Sequence, residues 1–251
     1  MIAKEIDTSN GESMEFYKRG QTSISYEREG NGYPILLLAP GGMRSANNFW
    51  NNMPWNPREK LQDQFELIGM DQRNAGTSTA HITKDDNWDT YKEDQVSLLD
   101  HLQVEKCHLV GMCIGGPFIA NLLKTYPERF QSAVMLQPVG IDQNRQAFYD
   151  MFDDWAEEIV NQESGPTTET MTKFKHNMWD GEFLITATEQ EVSSIKNPLL
   201  ILMGDDLYHP QSTSRKIAEL APNATLIEKW KSPEMLEGTN TAVVDFLNQH
   251  S

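Results

Sequence analysis

The segment between residues 107 and 123 constrains what this chain can fold into more than any other. Its pattern predicts a short buried strand, a turn with Gly111 and Gly115 two positions either side of Cys113, and then a helix. So tight a turn forces its central residue towards a positive φ, and glycines are needed where the strand and the helix nearly touch. The pattern therefore predicts an exposed sulfur, with the N–H of Ile114 pointing to where an oxyanion would form.

The two cysteines of the chain have different expected roles. Cys107 and Cys113 lie six positions apart on one predicted strand and its end, which puts them on the order of 20 Å apart. That is too far for a disulfide, so we expect free thiols. Cys107 suits a small core position, which leaves Cys113 for chemistry.

Composition bounds the class of protein and its partners. The chain has 251 residues, which favours one core with one insertion. Lys and Arg number 21 against 37 Asp and Glu, a formal net charge of -16. Such a surface repels phosphate backbones and anionic lipids, which argues against nucleic acid and membranes as partners. We expect a small-molecule substrate. The composition leaves the oligomeric state open.

The compartment is inferred from hydropathy. No basic segment followed by an apolar one opens the chain, and no apolar stretch approaches the length of a membrane span. We therefore expect a cytoplasmic protein. No set of histidines, cysteines or carboxylates has the spacing of metal ligands, so we predict no metal and no cofactor.

Apolar runs alternate with helical patterns along the chain. Residues 12–29 suggest an antiparallel pair, residues 33–39 form an apolar run typical of a strand covered on both faces, and residues 45–62 suggest a helix broken by Pro54 and Pro57. Further strand patterns with helical patterns between them predict a doubly wound, mostly parallel sheet, an α/β fold. Those further strands are expected at residues 65–71, 107–112, 133–138, 198–204 and 224–230.

The pattern changes between about residues 141 and 197, after the sixth predicted strand. We predict a small helical cap there, which divides the core into residues 1–140 and 198–251. Its apolar side chains would shape an apolar pocket for an apolar portion of the substrate, or would simply pack the cap onto the core. These side chains are Phe148, Phe152, Trp155, Met178 and Trp179.

A glycine pair follows the strand at residues 33–39. Gly41 and Gly42 let the backbone approach a ligand closely, so the N–H of Gly42 or of Met43 is our candidate for a second oxyanion donor. An ordinary glycine-rich turn between a strand and a helix fits the same residues.

Four motifs in this order resemble the α/β-hydrolase superfamily over nearly the whole chain. They are Pro-Gly-Gly at residues 40–42, Asp-Gln-Arg-Asn-Ala-Gly-Thr-Ser at 71–78, Gly-Met-Cys-Ile-Gly at 111–115, and Gly-Asp-Asp at 204–206 ahead of Pro210. The second motif is similar to that of the small-capped esterase and proline-iminopeptidase-like branches. The cysteine at the turn is similar to that of dienelactone-hydrolase-like enzymes.

The resemblance implies a nucleophile at Cys113 and a catalytic acid in the loop near residue 205. Asp205 and Asp206 compete, and we prefer Asp206 because the acid of the family commonly stands four residues before a proline, as Asp206 does before Pro210. Family members also keep a histidine after the last strand. Residues 229–238 contain none, and His250 comes too late in the chain.

A cysteine nucleophile needs less help from a base than a serine does, because a thiol is already partly ionised at neutral pH. His209, three residues after Asp206, is our candidate base, and it could instead cap or pack the next helix. His81 and His176 are the other candidates.

The sequence is compatible with three functions. The first is hydrolysis of a small ester, lactone or thioester through a Cys113 acyl-enzyme, with Asp206 and His209 as acid and base and with Ile114 and Gly42 or Met43 binding the oxyanion. The second is a lyase, isomerase or cyclase reaction on the same fold, since the usual histidine is missing. The third is a ligand-binding relative without catalysis.

Overall fold

One eight-stranded sheet forms the centre of the computed structural model, which describes residues 14–162 and 165–251. The strands are β1 (Glu15–Arg19), β2 (Thr22–Glu29), β3 (Tyr33–Leu38), β4 (Phe65–Met70), β5 (Cys107–Met112), β6 (Phe130–Leu136), β7 (Leu199–Leu202) and β8 (Ala224–Ile227). The α-helices are α1 (Pro57–Leu61), α2 (Trp88–His101), α3 (Gly115–Thr125), α4 (Arg145–Val160), α5 (Thr168–Trp179), α6 (Glu189–Ser194), α7 (Gln211–Leu220) and α8 (Leu236–Gln249).

The sheet is mixed, and most of its pairs are parallel. Its strand order is β1-β2-β4-β3-β5-β6-β7-β8. The β1–β2 and β2–β4 pairs are antiparallel, and the other five pairs are parallel. The predicted doubly wound α/β fold is confirmed. Because β5 lies between β3 and β6, a residue at its carboxyl end stands near the middle of the sheet.

Both faces of the sheet are covered, as the continuous apolar strands predict. Successive side chains of a strand point to opposite faces, and every residue of β5 is buried. Leu109 belongs to the core cluster that contains Leu98 of α2 and Ile119 of α3. Val110 belongs to the cluster on the other face, which contains Val243 of α8. Helices therefore pack against both faces of the central strand.

Residues 45–62 differ from the broken helix that the sequence predicted. The structure has a 3-10 helix at Asn47–Asn52 and one short helix, α1. Proline lacks an N–H and fits only the first turn of a helix, which is where Pro57 stands. The side chain of Asn56 accepts from the N–H of Arg58 at 3.0 Å and so caps α1.

Three helices, α4, α5 and α6, lie in the insertion between β6 and β7. Phe152 contacts Trp155 and Phe174 edge to face, with ring centroids 5.4 Å apart in both pairs. All three rings are buried, so this part of the insertion packs on itself. We call residues 141–197 the helical cap from here on.

Some sequence interpretations concern residues that the structure does not describe. Residues 1–13, with the start of the predicted antiparallel pair, and residues 163–164 of the cap lie outside the described residues. In residues 14–162 and 165–251, no helix has both the length and the apolar character needed to cross a membrane.

A test of the packing at the centre of the sheet uses Gly115. A Cβ added to Gly115 would lie 2.6 Å from the carbonyl oxygen of Leu38, so Gly115→Ala should lower the free energy of unfolding by about 3 kcal/mol. Gly238 of α8 is exposed, and a Cβ there would meet nothing within 4 Å. Gly238→Ala should leave stability unchanged or raise it by up to about 1 kcal/mol. Urea unfolding of both variants measures the difference, and equal effects would contradict the packing assigned to Gly115.

Candidate active site

Cys113 stands on the turn between β5 and α3 with φ 59. Its N–H donates to the carbonyl oxygen of Leu136 at 3.1 Å, and its own carbonyl oxygen accepts from Val139 at 3.2 Å. A Cβ on Gly111 would lie 3.0 Å from the backbone of Gly115, so only glycine permits this approach of strand and helix. The turn is the strained strand-to-helix turn that the sequence pattern predicted.

The thiol of Cys113 is half-buried and has unusual electrostatics. Burial alone would raise its pKa, but the pKa lies below the usual value because the side chain of His209 hydrogen-bonds to the sulfur and adds a positive charge. The backbone N–H groups of Gly41 and Ile114 lower the pKa of Cys113 further. The sulfur is therefore favoured as a thiolate.

His209 and Asp206 form a pair within the loop after β7. Nδ1 of His209 lies 2.7 and 2.8 Å from the two carboxylate oxygens of Asp206. Oδ1 of Asp206 also accepts from the backbone N–H groups of Tyr208 at 2.9 Å and His209 at 3.1 Å. Burial would raise the pKa of Asp206, yet the hydrogen bond and charge of His209 and these N–H groups lower it. Asp206 is therefore a fixed carboxylate that orients the imidazole.

Nε2 is the nitrogen of His209 that remains for the sulfur. It is buried, no nitrogen or oxygen atom in the described part of the chain hydrogen-bonds to it, and the sulfur of Cys113 is the group that it meets. Burial would lower the pKa of His209, but interactions with Cys113 and then with Asp206 raise it to about 9. The two shifts therefore act in the same direction, and each side chain favours the charged form of the other.

Two residues shape the loop that carries this pair. A Cβ on Gly204 would lie 2.4 Å from the carbonyl oxygen and 2.5 Å from the Cβ of His209, so the loop can fold back here only over a glycine. Asn144, which precedes α4 of the cap, donates to the carbonyl oxygens of Leu207 at 2.7 Å and Gly140 at 3.0 Å. The cap and the loop are therefore joined beside His209.

Asp205 faces a different partner from Asp206. Its carboxylate accepts from Nζ of Lys231, which follows β8. Lys231 also donates to the side chain of Gln137 at 3.3 Å, directly after β6. The structure therefore pairs Asp205 with a lysine in the region after the last strand, where the sequence has no histidine, and pairs Asp206 with His209.

The sequence analysis did not name Gly41. It named Gly42 or Met43 as the second oxyanion donor, whereas the N–H groups that interact with the sulfur are those of Ile114 and Gly41. Gly41 has φ 120, and Gly42 faces Met151 of α4, whose sulfur would lie 2.4 Å from a Cβ at Gly42. The glycine pair marked the right turn, but the sequence could not say which N–H faces Cys113.

The other two candidate bases are placed differently. His81 is exposed. His176 is also exposed and bonds to Asp180 of the cap, with Nδ1 3.1 and 3.2 Å from its carboxylate oxygens. The structure thus brings His209, of the three candidates, to Cys113. In the described residues, no group of three or more His, Cys, Asp or Glu side chains is arranged to hold a metal ion.

Comparison with known proteins agrees with this architecture. The family model of the alpha/beta hydrolase fold matches residues 34–185, which is more than half of the chain. The chain belongs to the α/β-hydrolase fold family. The superfamily resemblance that the four motifs predicted is confirmed.

Two curated relatives cover most of the chain. The protein RutD of Caulobacter sp. (strain K31), named a carbamate hydrolase, is 27% identical over 84% of this chain and 90% of its own length. Carboxylesterase YbfK of Bacillus subtilis (strain 168) is 25% identical over 85% of this chain and 80% of its own length. The names of both relatives describe hydrolases.

Solved structures share the fold. The meta-cleavage product hydrolase CumD from Pseudomonas fluorescens IP01 superposes with a TM-score of 0.68 at 18% identity, covering 92% of this chain and 96% of its own. The enol-lactonase from Burkholderia xenovorans LB400 gives a TM-score of 0.68 at 18% identity, covering 93% and 99%. At this identity the likeness concerns the fold alone.

The pH dependence of Cys113 alkylation tests the coupling of the two side chains. In the wild type, the inflection of the reaction with iodoacetamide should lie below the usual thiol pKa, because the pKa of Cys113 is lowered. His209→Ala removes the charge and the hydrogen bond but leaves the burial, so the inflection should move to higher pH. The rate of alkylation, followed by mass spectrometry, gives both curves. An inflection that does not move would contradict the coupling.

The two aspartates of the loop provide a matched pair of variants. Asp206→Asn removes the carboxylate that holds Nδ1 of His209, so the inflection of Cys113 alkylation should move up by about one pH unit or more. Asp205→Asn removes a carboxylate that pairs with Lys231 and not with His209. This variant should move the inflection of Cys113 alkylation by less than half as much as Asp206→Asn does. Equal shifts for the two variants would contradict the preference for Asp206.

Proposed function

We propose that this protein hydrolyses a small ester, lactone or thioester through an acyl-enzyme on Cys113. The observation that carries the proposal is a thiol with a lowered pKa on the strained turn, beside an imidazole that Asp206 holds through Nδ1. The names of the relatives, a carboxylesterase and a carbamate hydrolase, support hydrolysis of an ester-like carbonyl.

The first half of the reaction forms the acyl-enzyme. The thiolate of Cys113 attacks the substrate carbonyl carbon, and the electron pair of the C=O bond moves onto oxygen. The N–H groups of Ile114 and Gly41 already interact with the sulfur, so they are within reach of an oxyanion two bonds from it. The oxyanion then collapses, the bond to the leaving group breaks, and the leaving oxygen or sulfur takes its proton from His209.

The second half returns the free enzyme. A water molecule attacks the thioester carbon while His209 removes its proton, and collapse of the second tetrahedral intermediate releases the acid and the Cys113 thiolate. Asp206 keeps Nδ1 protonated throughout, so Nε2 is the nitrogen that gives up the proton and takes it back.

The state of the sulfur switches His209 between acid and base. In the free enzyme the interaction with Cys113 helps to raise the pKa of His209 to about 9, so the imidazole carries the proton that the leaving group needs. Acylation removes the negative charge of the sulfur and with it that contribution. The pKa of His209 then falls, because burial lowers it, and the neutral imidazole can act as a base towards water.

Activated esters test the acyl-enzyme directly. Cys113→Ala should lower kcat/KM for p-nitrophenyl acetate at least a thousandfold, because the nucleophile is lost. Rapid quench and mass spectrometry of the wild type should show an increase by one acetyl group. Cys107 provides the control, since it is fully buried and burial raises its pKa to about 12. Cys107→Ala should keep the activity and the acetyl adduct.

Two results would overturn the proposal. One is unchanged turnover by a folded Cys113→Ala protein. The other is a product that contains no oxygen from solvent when the reaction runs in H₂¹⁸O, because hydrolysis must add one water molecule to each carbonyl. The second result would favour a lyase, isomerase or cyclase reaction at the same site.

A further inference from the structure

The indole N–H of Trp179 is a buried donor that lacks an acceptor. Trp179 is the last residue of α5 in the cap and is 1% exposed. Its Nε1 has no hydrogen-bond partner in residues 14–162 and 165–251. Buried polar groups are almost always satisfied, and an unsatisfied donor destabilises the fold. An oxygen atom of a bound ligand could supply the acceptor that this donor lacks.

Other tryptophans show that this fold can satisfy a buried indole. Nε1 of Trp88 donates to a backbone carbonyl oxygen at 2.5 Å, and Nε1 of Trp230 does so at 2.9 Å. Trp50 resembles Trp179, since its Nε1 is also buried without a partner in the described chain. However, Trp50 belongs to the core cluster on the other face of the sheet.

Aromatic contacts connect Trp179 to the loop that carries His209. Its indole stacks on Phe148 of α4, with centroids 4.9 Å apart and planes at 6°. Phe148 contacts Tyr208 edge to face at 5.6 Å, and Tyr208 directly precedes His209. One end of this row of aromatic rings therefore lies next to His209, the general base of the proposed reaction.

A second row of rings runs to the helix that follows the nucleophile. Trp179 contacts Trp88 of α2 edge to face at 5.5 Å, and Trp88 contacts Phe118 at 5.2 Å. Phe118 lies in the first turn of α3, which begins two residues after Cys113. Cys113 itself packs against the cluster to which these rings belong, and also against the cluster on the other face of the sheet, which contains Trp50. Trp179 thus lies between the two elements that carry the reacting groups.

We propose that Trp179 is a specificity-determining residue, which donates its indole N–H to an oxygen atom in the acyl portion of the substrate. This inference rests on the proposed function. It narrows the substrate class to esters or thioesters whose acyl chain is apolar and carries a second oxygen besides the scissile carbonyl.

The surroundings of Trp179 favour an uncharged oxygen, such as that of a ketone, an ether or a hydroxyl group. The indole donor is neutral, and burial among aromatic rings penalises a free carboxylate. Arg145 of the cap donates to the backbone carbonyl oxygen of Trp179 and lowers the pKa of Asp180, so this cation already has partners.

Paired substrates test the inference. The p-nitrophenyl esters of 3-, 4- and 5-oxohexanoate are compared with the ester of hexanoate, and each kcat/KM is divided by the hexanoate value. The largest ratio should fall about tenfold in Trp179→Phe, the amount that one hydrogen bond accounts for. Trp50→Phe, which also removes a buried unpartnered indole N–H, should leave every ratio unchanged. If Trp179→Phe lowers none of the three ratios, the inference is wrong.

An NMR measurement decides the same question without turnover. The Cys113→Ala protein with ¹⁵N-labelled indoles, titrated with the oxo ester that it binds most tightly, should show a downfield shift of the Trp179 indole proton and no shift for Trp50. The hexanoate ester should leave both signals in place. Equal responses to the two esters would refute the role of Trp179. If the wild type hydrolyses none of these esters, the proposed function fails, and the NMR result still decides whether Trp179 binds an acyl oxygen.

Discussion

The attraction between the Cys113 thiolate and the His209 imidazolium is the interaction on which this site depends. Burial opposes the charge of both side chains, so neither charged form would be favoured alone. Together they lower the pKa of the thiol and raise that of the imidazole, and Asp206 adds to the effect on His209. A pair of opposite charges at short range in a poorly solvated site is stronger than the same pair in water.

Three features of the fold bring Cys113 and His209 together. The central position of β5 and the close packing of Gly111 against Gly115 put Cys113 at the carboxyl edge of the sheet. The glycine at 204 lets the loop after β7 return so that His209 comes to the same place. Asp206 and His209 therefore come from one short loop, and the region after β8 carries Lys231, which pairs with Asp205 instead.

The sequence predicted the features that depend on local sterics. Glycines on both sides of Cys113 indicated the turn, and the apolar runs indicated the sheet. The resemblance to the family favoured Asp206 over Asp205, and Asp206 is the one that the structure pairs with His209. The sequence could not predict features that depend on how distant segments pack together, because no local pattern of residues encodes that packing. The direction of the Gly41 N–H, the pairing of Asp205 with Lys231 and the stacking of Trp179 on Phe148 are of this kind.

The most direct test of the account is a titration of the His209 ring by ¹⁵N NMR in the wild type and in the Cys113→Ala protein. The account predicts a wild-type pKa raised to about 9. In the variant the pKa should be clearly lower, because the thiolate is gone while burial and Asp206 remain. A His209 pKa near the ordinary value in both proteins, or one that is raised equally in both, would contradict the thiolate-imidazolium pair.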